Sequence, residues 1–177
     1  MTISLAIDTS TSRTIVGLLD GEKVLFEKYA EGATDHGRAV SELVALALLN
    51  NPAPDQVVVG MGPGPFTGLR VGIAFARTFA LSREIPVIGI CSLDAIEIDE
   101  DNYTIAIDAR RKEIYWARYE AGQRVEGPAV NKPDEVKDFI IGQYPSASAL
   151  VKLSATQREL EPFYLRRPDA VPTAERS

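Results

Sequence analysis

Two aspartates stand at the ends of matching apolar runs, in Ile7-Asp8-Thr9-Ser10 and Ile107-Asp108-Ala109-Arg110. Open α/β sheets place their sites at the carboxyl ends of strands, where these carboxylates would lie. Facing each other across a cleft, Asp8 and Asp108 could hold Mg²⁺ with a phosphate, the chemistry of an ATPase or small-molecule kinase. Thr9 and Ser10 add hydroxyls beside the first carboxylate.

Between the two aspartates runs Gly60-Met61-Gly62-Pro63-Gly64-Pro65-Phe66-Thr67-Gly68-Leu69-Arg70-Val71-Gly72. Glycines beside φ-locked prolines make a shaped loop. Its N–H groups around Gly62 and Gly64, with a helix start near Thr67, could cradle an anion. The segment lacks the Gly-Lys-Ser/Thr ending of a Walker loop, and its glycines are not spaced as in the dinucleotide fingerprint. A rigid strand-to-helix turn is therefore the leading reading of the loop. No third carboxylate ends a strand, and no Ser/His/Asp set supports peptidase chemistry. Independent ATPase or kinase activity through Asp8, Asp108 and Mg thus stands as the alternative, and nuclease activity stands behind it.

The chain has one histidine, His36, so no paired-histidine metal site exists, and a first-turn surface or interface role is expected for it. The one cysteine, Cys91, cannot form an internal disulfide, and no basic segment with a long apolar run opens the chain. A reducing cytoplasm is the expected setting. A net charge of −6 argues against binding nucleic acid unaided, because phosphate contacts need clustered Lys and Arg.

With 45% hydrophobic residues in 177, the chain can bury the core of one domain or two small lobes. Apolar runs predict strands over 3–7, 14–19 and 24–29, the last two joined at Asp20-Gly21. A helix is expected from His36 to Leu49, capped by Asp35 and stopped by Pro52 and Pro54. Val40, Leu43, Val44, Ala47 and Leu48 form its core stripe, while Ala39, Leu46 and Leu49 make the far side apolar too. A second side of that kind is expected to meet another protein.

A strand over Val57-Val58-Val59 leads into the glycine loop and a second helix. There Gly68, Gly72, Ala76 and Ala80 recur every four residues on one narrow face, suited to close approach of the chain's own sheet or of a partner. Val71, Phe75 and Phe79 form a bulky stripe beside it. A strand over 86–90, a brief helical segment at Ser92 and an acidic connection near Glu97 follow. The boundary is placed there, giving a first lobe over 1–98 and a shorter second lobe over 99–177. The second lobe echoes the first after about one hundred positions, as duplicated domains do. It has a strand ending at Asp108, another over 113–119, a turn at Ala121-Gly122 and a helix from Pro133 to Ile141. No clear element emerges from Gly142 to Ala155, and disorder is expected in the last few residues.

Ile7-Asp8-Thr9-Ser10, the Gly60–Gly72 segment, Ala106-Ile107-Asp108-Ala109-Arg110, Glu113-Ile114-Tyr115-Trp116-Ala117 and Tyr164-Leu165-Arg166-Arg167-Pro168-Asp169 together closely resemble the bacterial TsaB (YeaZ) family of tRNA threonylcarbamoyladenosine biosynthesis proteins. The glycine-rich segment is the most specific part, whereas the Ile-Asp-Thr start is common to many actin-like ATPases. The resemblance implies a two-lobed actin-like ATPase fold of ribonuclease H-like halves, α/β with mixed sheets and flanking helices. It implies a non-catalytic subunit that pairs with a TsaD-like transferase, or with itself as a homodimer, through first-lobe helices, and is joined by a TsaE-like ATPase.

The product would be threonylcarbamoylated adenosine beside the anticodon of tRNAs reading codons that begin with A. ATP and metal would sit on the partner, and tRNA would be reached only through the complex. On this reading Asp8, Thr9, Ser10, Gly62, Gly64, Thr67 and Asp108 form a vestigial nucleotide or anion site. The partner interface comprises His36, Val40, Leu43, Leu46, Ala47, Gly68, Gly72, Ala76 and Ala80. The chain departs from the family in its second lobe, which is cut short around Tyr144 to Thr156.

Overall fold

The computed structural model describes residues 1–32 and 34–166. Two sheets share one building pattern. In the first, β1 (Ile3–Asp8), β2 (Arg13–Asp20) and β3 (Lys23–Glu31) form an antiparallel meander. β4 (Gln56–Gly60) and β5 (Val87–Ile90) then add in parallel, giving the order β3-β2-β1-β4-β5. In the second, β6 (Tyr103–Asp108), β7 (Ile114–Glu120) and β8 (Gln123–Asn131) repeat the meander, and β9 (Phe139–Ile141) pairs in parallel with β6. The order β8-β7-β6-β9 therefore matches the first four strands of the first sheet, as the sequence echo implied.

The central strands β1 and β4 are apolar without alternation because helices cover both of their faces. On one face lie α1 (His36–Leu48) and α2 (Phe66–Arg83). They pack Val40, Leu43, Val44, Ala47, Leu69, Ile73, Ala76 and Ala80 over Leu5, Ile7, Val57 and Val59. On the other face lies α3 (Ala147–Leu153), which sets Ala147, Ala149 and Leu150 against Ala6, Leu19, Val58 and Ile88. A third cluster joins the lobes, with Cys91, Leu93 and Ile96 from the stretch after β5 packing against Ile105, Ile107, Tyr115, Ala117 and Tyr119.

Three expectations change. Pro133 to Ile141 is not a helix: Pro133–Glu135 make one 3-10 turn, Asp138 takes φ 49°, and Phe139-Ile140-Ile141 pair as a strand beside β6. The unassigned stretch 142–155 contains α3, whose N-cap Ser146 accepts a hydrogen bond from the Ala149 N–H. Because α3 completes the first sheet, residues beyond 98 do not all belong to a second lobe. The second lobe keeps a sheet but no α-helix of its own among the described residues. The expected tail over 167–170 and the disorder assigned to the last residues lie outside the described residues.

Asp35 stands at the N-cap of α1 as expected, yet its side chain makes no capping bond and instead accepts from Arg38 Nε at 2.6 Å. No helix among the described residues is long and apolar enough to cross a membrane.

Candidate functional site

Asp8 is fully buried at the end of β1. Its Oδ1 accepts from the Ser10 N–H at 2.8 Å and the Ser10 hydroxyl at 2.6 Å, and its Oδ2 accepts from the Ser92 hydroxyl at 2.6 Å. Ser92 in turn accepts from the Gly62 N–H at 3.0 Å, and its own N–H donates to the Gly62 carbonyl at 2.7 Å. The carboxylate thus ties the ends of β1, β4 and β5 into one buried knot. Burial pushes its pKa up, and the bonds from Ser10 and Ser92 act in the opposite direction.

The glycine loop is closed around that knot rather than open to an anion. A Cβ on Gly60 would come within 1.8 Å of Asp8 Oδ2, and one on Gly64 within 2.4 Å of the Ser10 carbonyl oxygen. Gly62 takes φ +83° with both of its backbone polar groups bonded to Ser92. Thr67, at the exposed start of α2, stands apart from this packing. The expected anion set is therefore split: Asp8, Ser10, Gly62 and Gly64 bond or pack with one another.

Thr9 explains the small-residue stripe. Its hydroxyl donates to the Gly68 carbonyl at 2.7 Å and accepts from the Gly72 N–H at 3.1 Å, bridging one rung of the α2 ladder. A Cβ on Gly72 would meet that hydroxyl oxygen at 2.3 Å. Gly68, Gly72, Ala76 and Ala80 are all buried against the chain's own sheet, which corrects their assignment to a partner interface. The same correction holds for Val40, Leu43 and Ala47 on α1, and for His36.

His36 is not at the surface. It lies 5% exposed beside Gly68, with Nδ1 2.8 Å from the Thr14 hydroxyl, and burial pushes its pKa below the ordinary value. Of the expected interface only Leu46 is open, at 49% exposure, next to Leu49 at 72%. A groove of about 490 Å³ runs between the helices, lined by Val40, Val71, Phe75 and Phe79.

Asp108 has the equivalent strand-end position and a different fate. It is exposed and accepts from the Arg110 N–H at 2.9 Å. With Thr11, Ser12, Pro65, Arg110, Ile141 and Tyr144 it lines a cleft of about 150 Å³ between the lobes. The turn beyond it holds Arg110, Arg111 and Lys112 at φ 64°, 54° and 63°, three successive left-handed residues with side chains. That turn is pinned by the Glu113 N–H on the Arg110 carbonyl at 3.0 Å and by Arg166, which reaches both that carbonyl and the Glu113 carboxylate.

Asp8 and Asp108 therefore do not form a matched pair of ligands. Among the described residues no three His, Cys, Asp or Glu side chains gather in a metal-binding group. Cys91, buried beside Asp94, has its thiol pushed up to about 12 and is no nucleophile near neutral pH.

Sequence reasoning missed Ser92 as a member of the Asp8 knot, having read it as a cap for a short helix. The polar Ser92 directly after the apolar run 87–91 was the available signal. It also missed Arg13, whose guanidinium lies between the Tyr29 and Tyr144 rings, 4.1 and 3.7 Å from their centroids, and fastens the entry to α3 onto the first sheet.

Paired sheets of β-β-β-β parentage, with helices on the first and a strand-end carboxylate in each, define an actin-like ATPase fold of ribonuclease H-like halves. The solved YeaZ of Pseudomonas aeruginosa has this fold, with a TM-score of 0.75 at 24% identity over 88% of this chain and 91% of its own. Residues 33–171 match the sequence model of TsaD, tRNA N6-adenosine threonylcarbamoyltransferase. The chain belongs to that family, on its TsaB (YeaZ) branch.

The tRNA threonylcarbamoyladenosine biosynthesis protein TsaB of Haemophilus influenzae is 36% identical over 64% of this chain and 52% of its own length. An uncharacterised protein of Mycobacterium leprae is 39% identical over 97% of this chain and 57% of its own. The chain thus spans little more than half the length of these relatives. The second alignment extends over 204 residues against the 177 of this chain, so the relative carries internal residues that this chain lacks.

Proposed function

We propose that the chain is a non-catalytic subunit in the biosynthesis of threonylcarbamoyladenosine beside the anticodon of tRNAs that read codons beginning with A. It pairs with a TsaD-type transferase subunit, a TsaE-like ATPase joins the pair, and a second copy takes the partner's place when the chain is alone. ATP and metal act on the partner subunits, in the cytoplasm. The observation that carries this reading is the state of Asp8: three donors within the first lobe occupy both of its oxygens. Three of the roughly four lone-pair positions of a carboxylate are thereby taken, and full burial leaves the fourth no open side for a cation. The names of the TsaB relatives and the family match supply the reaction.

Pairing is assigned to the outer faces of α1 and α2, where Leu46 and Leu49 are exposed and Val71, Phe75 and Phe79 line an apolar groove. The ATPase or kinase alternative requires a nucleotide between the lobes. The cleft there, at about 150 Å³, is smaller than the roughly 300–1,000 Å³ of ligand pockets.

The test is reconstitution with the TsaD-type and TsaE-like subunits, tRNA, threonine, bicarbonate and ATP, with modified adenosine read by mass spectrometry. Omitting this chain is expected to abolish the product. Undiminished product on omission rejects the assignment.

A further inference from the structure

The acidic chain carries a basic and aromatic edge that starts at Arg110, on the rim of the interlobe cleft. At one end, the left-handed turn presents the exposed Arg110 and Lys112. Arg166 continues from it, through its bond to the Arg110 carbonyl at 3.2 Å. Two residues earlier in the chain, Tyr164 is 43% exposed and packs its ring 5.0 Å from that of Phe66. Arg70, exposed on the first turns of α2, ends the track with its guanidinium 5.0 Å from the Phe66 ring. Beside the turn, Glu113 pairs with Arg166, and Asp108 accepts from the Arg110 N–H.

We infer that this edge is a contact surface for the sugar-phosphate backbone and unstacked bases of RNA. Cations spaced along an edge neutralise successive phosphates, and aromatic rings between them offer stacking faces that tolerate any base. An acidic protein partner would also meet these cations, so the test includes pairing with the TsaD-type subunit. The net charge of −6 does not oppose the contact, because screening over about 8 Å at physiological salt makes the local field decisive. The backbone supports the same role: Asp108, Glu113 and Arg166 hold the turn in a conformation that its side chains disfavour, so the cations are presented rather than tethered loosely. This inference rests on the proposed tRNA role for the identity of the RNA, and it gives the chain a direct part in holding that RNA within the complex.

The experiment uses the chain alone, with a fluorescein-labelled RNA hairpin of anticodon-stem size, and reads anisotropy at two salt concentrations. The triple variant Arg70→Gln, Arg110→Gln, Lys112→Gln is expected to bind about tenfold or more weakly, with the salt slope reduced by about one for each phosphate that the edge no longer neutralises. A control with Lys23→Gln, Lys28→Gln and Lys152→Gln, on β3 and α3, carries the same charge change and is expected to retain wild-type affinity. Equal weakening in the control, or no binding by the wild type at low salt, overturns the inference. So does a triple variant with intact RNA affinity that no longer pairs with the TsaD-type subunit, because the edge would then dock protein. The RNA arm uses no partner subunit, so its failure leaves the omission test above unaffected, and failure there leaves the RNA contact standing.

Discussion

Asp8 and Asp108 end equivalent strands in two sheets of one pattern, yet the first is fully buried with both oxygens occupied and the second is exposed, accepting from the Arg110 N–H. Everything packed around them differs in the same sense. The first sheet is covered on both faces by α1, α2 and α3, and its strand ends are tied together through Ser10, Ser92, Gly60 and Gly62. In the second, the position of α1 is reduced to one 3-10 turn, and the helix after β9 serves the other lobe. The repeated fold thus buries one strand-end carboxylate beneath its helices and leaves the other on a charged rim. The buried copy bonds to Ser10 and Ser92 within its own lobe and so acts as a structural clamp on the strand ends.

The largest effect expected from breaking this asymmetry is at Gly60. A methyl group there collides with Asp8 Oδ2 and lies 2.6 Å from the Ser92 hydroxyl, so Gly60→Ala is expected to cost about 3–5 kcal/mol. Thermal denaturation should then show a Tm lower by roughly 10 °C. A melt matching the wild type would mean that the knot is loose.

Next comes the paired comparison of Asp8→Ala with Asp108→Ala. The first strands the Ser10 N–H and two buried hydroxyls, at about 1–3 kcal/mol for each group left without a partner. The second is expected to stay within about 0.5 kcal/mol. Urea unfolding of both variants measures the difference, and equal costs would erase the distinction between the lobes.

The smallest effect is a pH dependence confined to the first lobe. Burial depresses the His36 pKa, so the unfolded chain takes up that proton first. Its stabilising contribution is present above the unfolded value of 6.5 and is lost as pH falls toward the depressed folded value. Asp8 works in the opposite direction, since its raised pKa favours the folded state in acid. His36→Gln should flatten the loss of stability below about pH 6.5 in melts taken across that range. An unchanged acid limb would assign that loss to other groups.

Most elements of the first lobe were legible from residue types. The repeated Ile-Asp end, the two glycine-containing hairpin turns and the apolar periodicity of α1 and α2 gave the strands and helices of the first lobe close to their observed limits. The direction of the small-residue stripe was not legible. Glycine every four residues demands a close neighbour without saying whether that neighbour is Thr9 of the same chain or a partner. Residues 133–141 misled because Pro-Asp-Glu is a good helix start, whereas pairing of the β-branched Ile140 and Ile141 with β6 is a long-range choice. Helix α3 is a short element whose apolar face is visible only against β1, β2 and β4. The Asp8 knot escaped because Ser92 lies 84 positions away.

The most direct measurement replaces both aspartates without disturbing their shape. Asn at position 8 still accepts from Ser10 and offers Ser92 a donor in place of an acceptor, which a hydroxyl oxygen can take. The double variant Asp8→Asn, Asp108→Asn, shown to be folded by its melt and added to the reconstituted mixture, is predicted to support the same yield of threonylcarbamoyladenosine as the wild type. A folded double variant that still pairs with the TsaD-type subunit but yields no product would contradict the non-catalytic account.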